Sequence, residues 1–159
     1  MNMTPGAACS PFRKTALSGE YKSRWQDPDT IRQVLHDYKR IAIVGLSPNP
    51  ERPSNMVGRY LIDKDYEIIP VNPGHEEILG LRCYKSLPDI PGPVDVVDIF
   101  RNPDTVIPVV EEAIKMGAKA IWFQIDVVNL EAGELAEENG LRVIMDRCIK
   151  IEHECLKME

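Results

Sequence analysis

The chain has 159 residues with a formal net charge of -6 at pH 7, and 43% of them are hydrophobic. This length predicts one domain with a sizeable core, while the acidic balance argues against broad binding to nucleic acid or anionic membranes. The apolar runs are too short to span a bilayer, and the amino terminus lacks the hydrophobic segment of a signal peptide. We therefore expect a cytoplasmic protein.

The chain divides at about Trp25. Residues 1–24 show no hydrophobic period and are rich in small and polar residues, which predicts a flexible amino-terminal tail, with a docked end as an option. Residues 25–159 are predicted to form a single domain. Its first helix is expected in "DPDTIRQVLHDY", with Asp27 as the N-cap and Pro28 at the first helical position. The apolar run "RIAIVG" predicts the first core strand, which Gly45 ends.

Strands and helices then alternate along the chain. "PSNMVGRYLIDK" predicts a helix, and "YEIIPVNP" and "VDVVDIF" predict the second and third core strands. The segment between them, "EEILGLRCYKSLPDIPGP", is either a small strand pair or an extended loop. A helix capped by Asn102, the strand "AKAIWFQ", a helix capped by Asn129, the strand "LRVIMD" and a closing helix follow.

This alternation predicts an α/β fold with a doubly wound, parallel, five-stranded Rossmann-like sheet. The predicted strand order is 3-2-1-4-5, with its switch point between strands 1 and 4. Ligands of such sheets bind at the carboxyl ends of the strands, beside the switch point. Functional residues are therefore expected in the loops that follow the first four strands.

The loop after the first strand is a candidate phosphate site. It leads into the amino terminus of a helix at Pro53 and Ser54, where unpaired N–H groups and the helix dipole favour an anion. Arg52 would place a guanidinium group beside that anion. The alternative is a plain turn with a solvated Arg52, but the position beside the switch point favours a phosphate site.

The same loop does not match a dinucleotide site. That site needs the pattern G-x-G-x-x-G and an acidic residue at the end of the second strand. Here the next glycine after Gly45 is Gly58, inside a predicted helix, and Asn72 stands where the acidic residue is expected. The lysine of a nucleotide-triphosphate loop is absent as well. NAD and nucleotide triphosphates are therefore disfavoured.

The cysteines and histidines predict neither a metal site nor a catalytic residue. The four cysteines form no C-x-x-C pair, and the spacing of Cys148, His153 and Cys155 matches no zinc pattern. Free thiols are expected, as in a reducing compartment. Cys148 is expected beside a helix start, which can lower the pKa of a thiol and favour disulfide exchange, but a packing role is the favoured interpretation.

Five segments resemble, in order, the small stand-alone coenzyme A-binding proteins. They are "IAIVGLSPNPERPSNMVGRYL", "YEIIPVNPGHEEILGLRCYKSLPDIP", "VDVVDIFRNPDTV", "GAKAIWFQ" and "VIMDRCIKIEH". Those proteins are single Rossmann-like domains similar to the CoA-binding domain of succinyl-CoA synthetase α subunits and of NDP-forming acyl-CoA synthetases. The resemblance covers roughly residues 27–157, and the correct order of five motifs makes it specific.

The resemblance implies a site for CoA or an acyl-CoA. It assigns the diphosphate to the turn and helix start formed by Gly45, Leu46, Ser47, Pro48, Arg52, Pro53 and Ser54. It assigns the adenosine side to Asn72 and Pro73, the ligand flanks to Phe100 and Arg101, and the pantetheine arm to Gln124. Many relatives have a glycine soon after that glutamine. Asp126 is therefore expected to narrow or repel that end of the cleft.

We therefore predict a protein that binds CoA or an acyl-CoA without evident catalysis of its own, with a homo-oligomer or a ligase partner as options. Two alternatives are an NAD(P)-dependent oxidoreductase, which shares the fold, and an interaction subunit with a vestigial nucleotide cleft. Asp126 and the acidic composition favour the second of these.

Overall fold

A computed structural model describes residues 15–157 of the chain. Its helices are α1 (Gly19–Trp25), α2 (Pro28–Asp37), α3 (Pro53–Asp63), α4 (Ile107–Lys115), α5 (Leu130–Glu138) and α6 (Ile149–Lys157). Its strands are β1 (Arg40–Val44), β2 (Glu67–Val71), β3 (Glu77–Ile78), β4 (Leu81–Arg82), β5 (Val96–Ile99), β6 (Ala120–Phe123) and β7 (Arg142–Met145). Short 3-10 turns cover Leu87–Asp89 and Pro103–Thr105. No helix within residues 15–157 is long and apolar enough to cross a membrane.

The five core strands form one parallel sheet in the order β2-β1-β5-β6-β7. The prediction of an α/β fold with a doubly wound, five-stranded parallel sheet is confirmed. The predicted order 3-2-1-4-5 is wrong, because the third core strand, β5, pairs with β1 and not with β2. The observed order is 2-1-3-4-5, so the switch point lies between β1 and β5.

The segment after β2 explains this order. Tyr84 forms a parallel bridge with Val71, its N–H donates to Pro70 O, and its carbonyl oxygen accepts from the N–H of Asn72. The outer edge of β2 is thus occupied by the chain that includes the β3–β4 hairpin. Asp95 then pairs with Arg40 through two bonds, one from its own N–H and one to its carboxylate, which fixes β5 beside β1.

Helices cover both faces of the sheet because each strand is apolar on both sides. On one face Ala42 and Val44 of β1 pack in a core with residues of α1, α4 and α5. On the other face Ile41 and Ile43 pack with residues of α2, α3 and α6. This arrangement leaves the carboxyl ends of the strands open to form a site.

The end of the segment before residue 25 packs against the domain. Residues 19–25 form α1, Trp25 is fully buried and Leu17 is 6% exposed. Residues 15–24 are therefore docked on the fold, which corresponds to the docked end that the sequence left as an option. Residues 1–14 lie outside the described residues, and the division at residue 25 stays a prediction.

Candidate functional site

A cleft of about 810 Å³ opens at the carboxyl ends of β1, β5 and β6. It lies at the switch point, where the sequence places a ligand site. Eight of the twelve candidate site residues line it: Gly45, Ser47, Arg52, Pro53, Ser54, Phe100, Arg101 and Gln124. Asp126 and Cys148, which the sequence singled out for other reasons, line it as well.

The other four candidates lie away from the cleft wall. The side chain of Leu46 is fully buried in the core, so only its backbone can contact a ligand. Pro48 and Pro73 are exposed. The amide of Asn72 donates to the carbonyl of Leu46 at 3.0 Å, and its oxygen accepts from Gly74 N–H at 2.9 Å. Asn72 thus ties the end of β2 to the loop that follows β1.

Five further residues line the cleft: Val57, Asn102, Pro103, Ile125 and Val127. Ile125 and Val127 lie in the loop after the fourth core strand, where the sequence predicts functional residues, whereas the other three were missed. Asn102 and Pro103 directly follow the candidates Phe100 and Arg101, so extending that loop by two residues would have found them. Asn102 caps the 3-10 turn through Asp104 N–H, and α4 itself begins only at Ile107. Val57 lies one helical turn beyond Pro53 and faces the same side.

Gly45 is required by the packing of β1 against β5. Its φ of 89° lies in the left-handed region, where glycine alone is unstrained. A Cβ atom at this position would overlap with the carbonyl oxygen of Phe100. Its N–H donates to Val71 O at 2.9 Å. The glycine therefore lets the chain turn out of the sheet directly beneath the cleft.

Residues 45–54, the first cleft loop, are closed by hydrogen bonds to the helix that follows. Ser54 Oγ accepts from Ser47 N–H at 2.9 Å, and Asn55 Nδ2 donates to Ser47 O at 2.9 Å. Asn49 N–H donates to Ser47 Oγ, and Arg59 donates to the carbonyl of Pro50. These bonds hold the loop across the amino terminus of α3.

Two arginines border the amino terminus of α3. Arg52 is its N-cap and Pro53 its first residue, and no side chain caps the helix. Arg101 follows β5, and its Cδ lies 3.5 Å from where a Cβ of Gly45 would stand. Within residues 15–157, neither arginine has an ion-pair or side-chain hydrogen-bond partner. The dipole and both cations favour an anion here.

Residues 124–129, the second cleft loop, are held by distant residues. Gln124 Nε2 donates to Asp98 Oδ1 at 2.6 Å, and Asp126 N–H donates to Asp146 Oδ1 at 2.8 Å. Asn129 caps α5, as the sequence predicts, and donates to Pro103 O. Asp126 has a φ of 69°, a conformation that aspartate tolerates better than most residues and glycine best.

Asp98 is a buried acid beneath this loop. It is fully buried, and among the described residues Oδ2 has no hydrogen-bond partner. Burial raises the pKa of this carboxyl to about 8, while the hydrogen bond from Gln124 acts in the opposite direction. The group is therefore mostly protonated at neutral pH. Its single bond to Gln124 orients that amide at the floor of the cleft.

Cys148 lines the cleft together with Gln124. Burial raises the pKa of its thiol, and the charge of Asp98 adds to this, although the backbone amides of Ile151 and Lys150 act in the other direction. A raised pKa disfavours the thiolate that disulfide exchange requires. Cys83 and Cys148 are free thiols. Cys155 is disulfide-bonded, so the expectation of a free thiol is wrong there.

The histidines lie outside the cleft wall. His153 Nδ1 is 2.7 Å from the hydroxyl of Tyr60, His36 is exposed beside Asp37, and His75 is exposed after β2. Within residues 15–157, no three histidine, cysteine, aspartate or glutamate side chains are grouped so that they could hold a metal ion.

Comparison with known proteins decides the family. Residues 39–154 match the model of the CoA binding domain. The chain belongs to this family. It is 45% identical over 127 residues to the uncharacterized protein YneT of Bacillus subtilis, an alignment that covers 80% of the chain and 94% of YneT. The resemblance to small stand-alone members is thereby confirmed.

Solved structures of this family share the fold. A hypothetical protein from Pyrococcus horikoshii OT3 is 48% identical, with a TM-score of 0.79, 81% of this chain covered and 91% of the other. The ADP-forming acetate–CoA ligase of Methanocaldococcus jannaschii is 32% identical over 122 residues. That alignment covers 71% of this chain but 17% of the ligase. The CoA-binding domain therefore exists both alone and as a small part of larger ligases.

Proposed function

We propose that the cleft binds CoA or an acyl-CoA. The diphosphate lies at the amino terminus of α3 between Arg52 and Arg101, and the pantetheine arm runs past Phe100 towards Gln124. The adenosine lies over the turn at Asn72 and Pro73. This proposal rests on membership of the CoA binding domain family.

The observation that carries the proposal is the pair of arginines at the mouth of the cleft. The chain is acidic, with a net charge of -6, yet Arg52 and Arg101 stand without a described acidic partner on either side of an uncapped helix start. Unpaired guanidinium groups beside a helix amino terminus match a diphosphate better than a neutral ligand.

The end of β2 supports CoA over NAD as the ligand. Asn72, in place of the acidic residue of NAD sites, uses its amide on Leu46 O and its oxygen on Gly74 N–H. Both polar ends of its side chain are therefore engaged within the protein. A ribose diol would find no carboxylate at this position.

We further propose that this chain binds its ligand in the cytoplasm without transforming it alone. The acetate–CoA ligase in which the domain recurs is far longer, since this chain matches 17% of its length. Ligase chemistry would then require a partner that supplies the remaining domains. Gel filtration and crosslinking of the purified chain with candidate ligase subunits test this, and the same experiment detects a homo-oligomer.

Calorimetric titration tests the ligand assignment. CoA, dephospho-CoA, acetyl-CoA and NAD are titrated separately into the purified chain at one fixed salt concentration. CoA or acetyl-CoA should bind at least tenfold tighter than NAD. Binding of NAD as tight as that of CoA would contradict the proposal and favour the oxidoreductase alternative, whereas no binding of any of the four would favour the vestigial cleft.

A further inference from the structure

Asp146, at the end of β7, joins two segments that are far apart in the sequence. It is 3% exposed and has a φ of 62°. Its Oδ1 accepts from the N–H of Asp126, in the second cleft loop, at 2.8 Å. Its Oδ2 accepts from Thr15 Oγ1 at 2.7 Å and from Ala16 N–H at 2.8 Å. One carboxylate thus binds the cleft and the amino-terminal segment together.

The amino-terminal segment, residues 15–17, is docked through Thr15. Its Oγ1 donates to Asp146 and accepts from Gln26 Nε2 at 2.7 Å and from Leu17 N–H at 3.0 Å. Gln26 in turn donates to Met145 O at 2.9 Å. The hydroxyl is thereby engaged on every side, and Leu17 packs into the core beside it. We name residues 15–17 the arm.

We propose that Asp146 is a positioning residue through which docking of the arm sets the conformation of the second cleft loop, and with it the affinity of the cleft. The effect on ligand affinity rests on the proposed function. Asp126, Ile125 and Val127 line the cleft, and Asp126 adopts a left-handed backbone conformation. A strained turn of this kind persists only where its surroundings hold it.

The geometry of the carboxylate explains the coupling. Three donors bind the two carboxylate oxygens of Asp146, and a carboxylate takes part in hydrogen bonds only as an acceptor. The bonds to the arm and to the loop therefore share one side-chain orientation. If the arm leaves, Oδ2 is left with no described partner, and the carboxylate can rotate towards water. The N–H of Asp126 then loses a well-placed acceptor.

Hydrogen exchange of the full-length chain tests this inference. Thr15→Val removes the hydroxyl but touches no atom of the cleft loop. We expect the Asp126 amide to exchange at least fivefold faster in this variant, and Thr15→Ser to restore the wild-type rate. Asp146→Asn should accelerate exchange at either the arm or the loop, because an amide offers one acceptor oxygen where two are needed.

Thr30→Val is the matched control. Thr30 Oγ1 donates to Asp27 Oδ2 at 2.9 Å, so this substitution removes the same kind of bond at the start of α2. It should leave the Asp126 amide within twofold of wild type. If Thr15→Val accelerates exchange at Ala16 and Leu17 but leaves the Asp126 amide unchanged, the proposed coupling is overturned. Thr15 would then stabilise only the arm itself.

Calorimetry with CoA separates this inference from the proposed function. Thr15→Val should weaken CoA binding about threefold to tenfold, and Thr15→Ser should not. Wild-type affinity in Thr15→Val would overturn the role of the arm in ligand binding. If the wild-type chain itself does not bind CoA, the proposed function fails, and the exchange rates of Asp126 alone then decide the inference.

Discussion

The two loops that border the cleft are built in opposite ways. The first, residues 45–54, is closed by side chains seven to nine residues away, as in the bonds of Ser47 with Ser54, of Asn55 with Ser47 and of Arg59 with Pro50. The second, residues 124–129, is held by residues 20 or 26 positions away. The first carries Arg52 and leads into a helix start, and the second carries the carboxylate of Asp126.

The two loops therefore depend on different parts of the molecule for their conformation. The first loop depends mainly on its own sequence and on α3, so its shape should survive changes elsewhere in the fold. The second depends on Asp98, Asp146 and Pro103, which arrive from three other elements. Its conformation should therefore respond to substitutions that never touch the cleft. Four predictions break or sharpen this comparison, and they follow in order of expected effect.

Gly45→Ala should have the largest effect on stability, because Gly45 is where the first loop packs against the end of β5, a distant strand. The new Cβ would overlap with the Phe100 carbonyl and would force alanine into a φ of 89°. We expect a loss of about 3–5 kcal/mol in the free energy of unfolding, measured by urea denaturation.

Gly140→Ala is the control for that measurement. Gly140 has a φ of 88°, but a Cβ there would meet nothing within 4 Å. It should therefore lose about 1–2 kcal/mol from backbone strain alone. Equal losses in the two variants would show that the contact with Phe100 contributes nothing.

Asp98→Asn should make the free energy of unfolding less dependent on pH. Because the folded pKa of Asp98 is raised to about 8, the folded chain binds a proton that the unfolded chain releases above about pH 4. Wild-type stability should therefore fall, relative to the variant, as the pH rises from 4 to 8. The change in this difference between pH 4 and pH 7 should be on the order of 4 kcal/mol.

Asparagine keeps an oxygen that can accept from Gln124, so the variant changes charge more than shape. Urea denaturation at pH 5, 6, 7 and 8 measures the trend, with Asp29→Asn, at an exposed residue of α2, as control. Parallel stability curves for wild type and Asp98→Asn would contradict a buried, protonated Asp98.

Arg52→Ala and Arg101→Ala should each weaken CoA binding by about 1.5–3 kcal/mol, since each removes a charged hydrogen bond to phosphate. Arg142→Ala, at the amino end of β7, is the control and should leave binding unchanged. Both losses should shrink at high salt. An affinity for CoA that is the same in all three variants and in wild type would rule out the diphosphate site between the arginines.

Asp126→Asn should have the smallest effect, and in the opposite direction. It removes a carboxylate from the cleft wall, while asparagine tolerates the left-handed conformation equally well. CoA should bind about 0.5 kcal/mol tighter, as expected for one exposed charge several ångströms from a phosphate. Titration at low and at 0.5 M salt measures this, because the gain should vanish at high salt. Weaker binding would mean that Asp126 contacts the ligand favourably.

Local patterns in the sequence were sufficient to predict most elements of the fold. Asp27 caps α2 through Thr30 N–H, Pro28 is its first residue, and Asn129 caps α5. These predictions succeed because a cap and its helix lie within a few residues of each other. The edge of the sheet that carries the cleft was predicted for a similar reason, since parallel strands end their carboxyl termini together.

Non-local contacts were the source of the main errors. The strand order was wrong because Tyr84 occupies the outer edge of β2, and no periodicity shows which edge a strand will take. The contact that docks the arm was not predicted, because Thr15 donates to Asp146, which lies 131 residues further along the chain. The sequence led to no prediction for Asp98, because only its neighbours in the fold make it a buried acid.

The sequence by itself determined the alternation of strands and helices, the family, and the cations beside the start of α3, because hydrophobic period, caps and motif order are local properties. Only the tertiary structure decided how the strands are ordered and what holds the second cleft loop. The physical reason is that a hydrogen bond between distant residues depends on where the whole sheet brings their atoms, and no short segment contains that information.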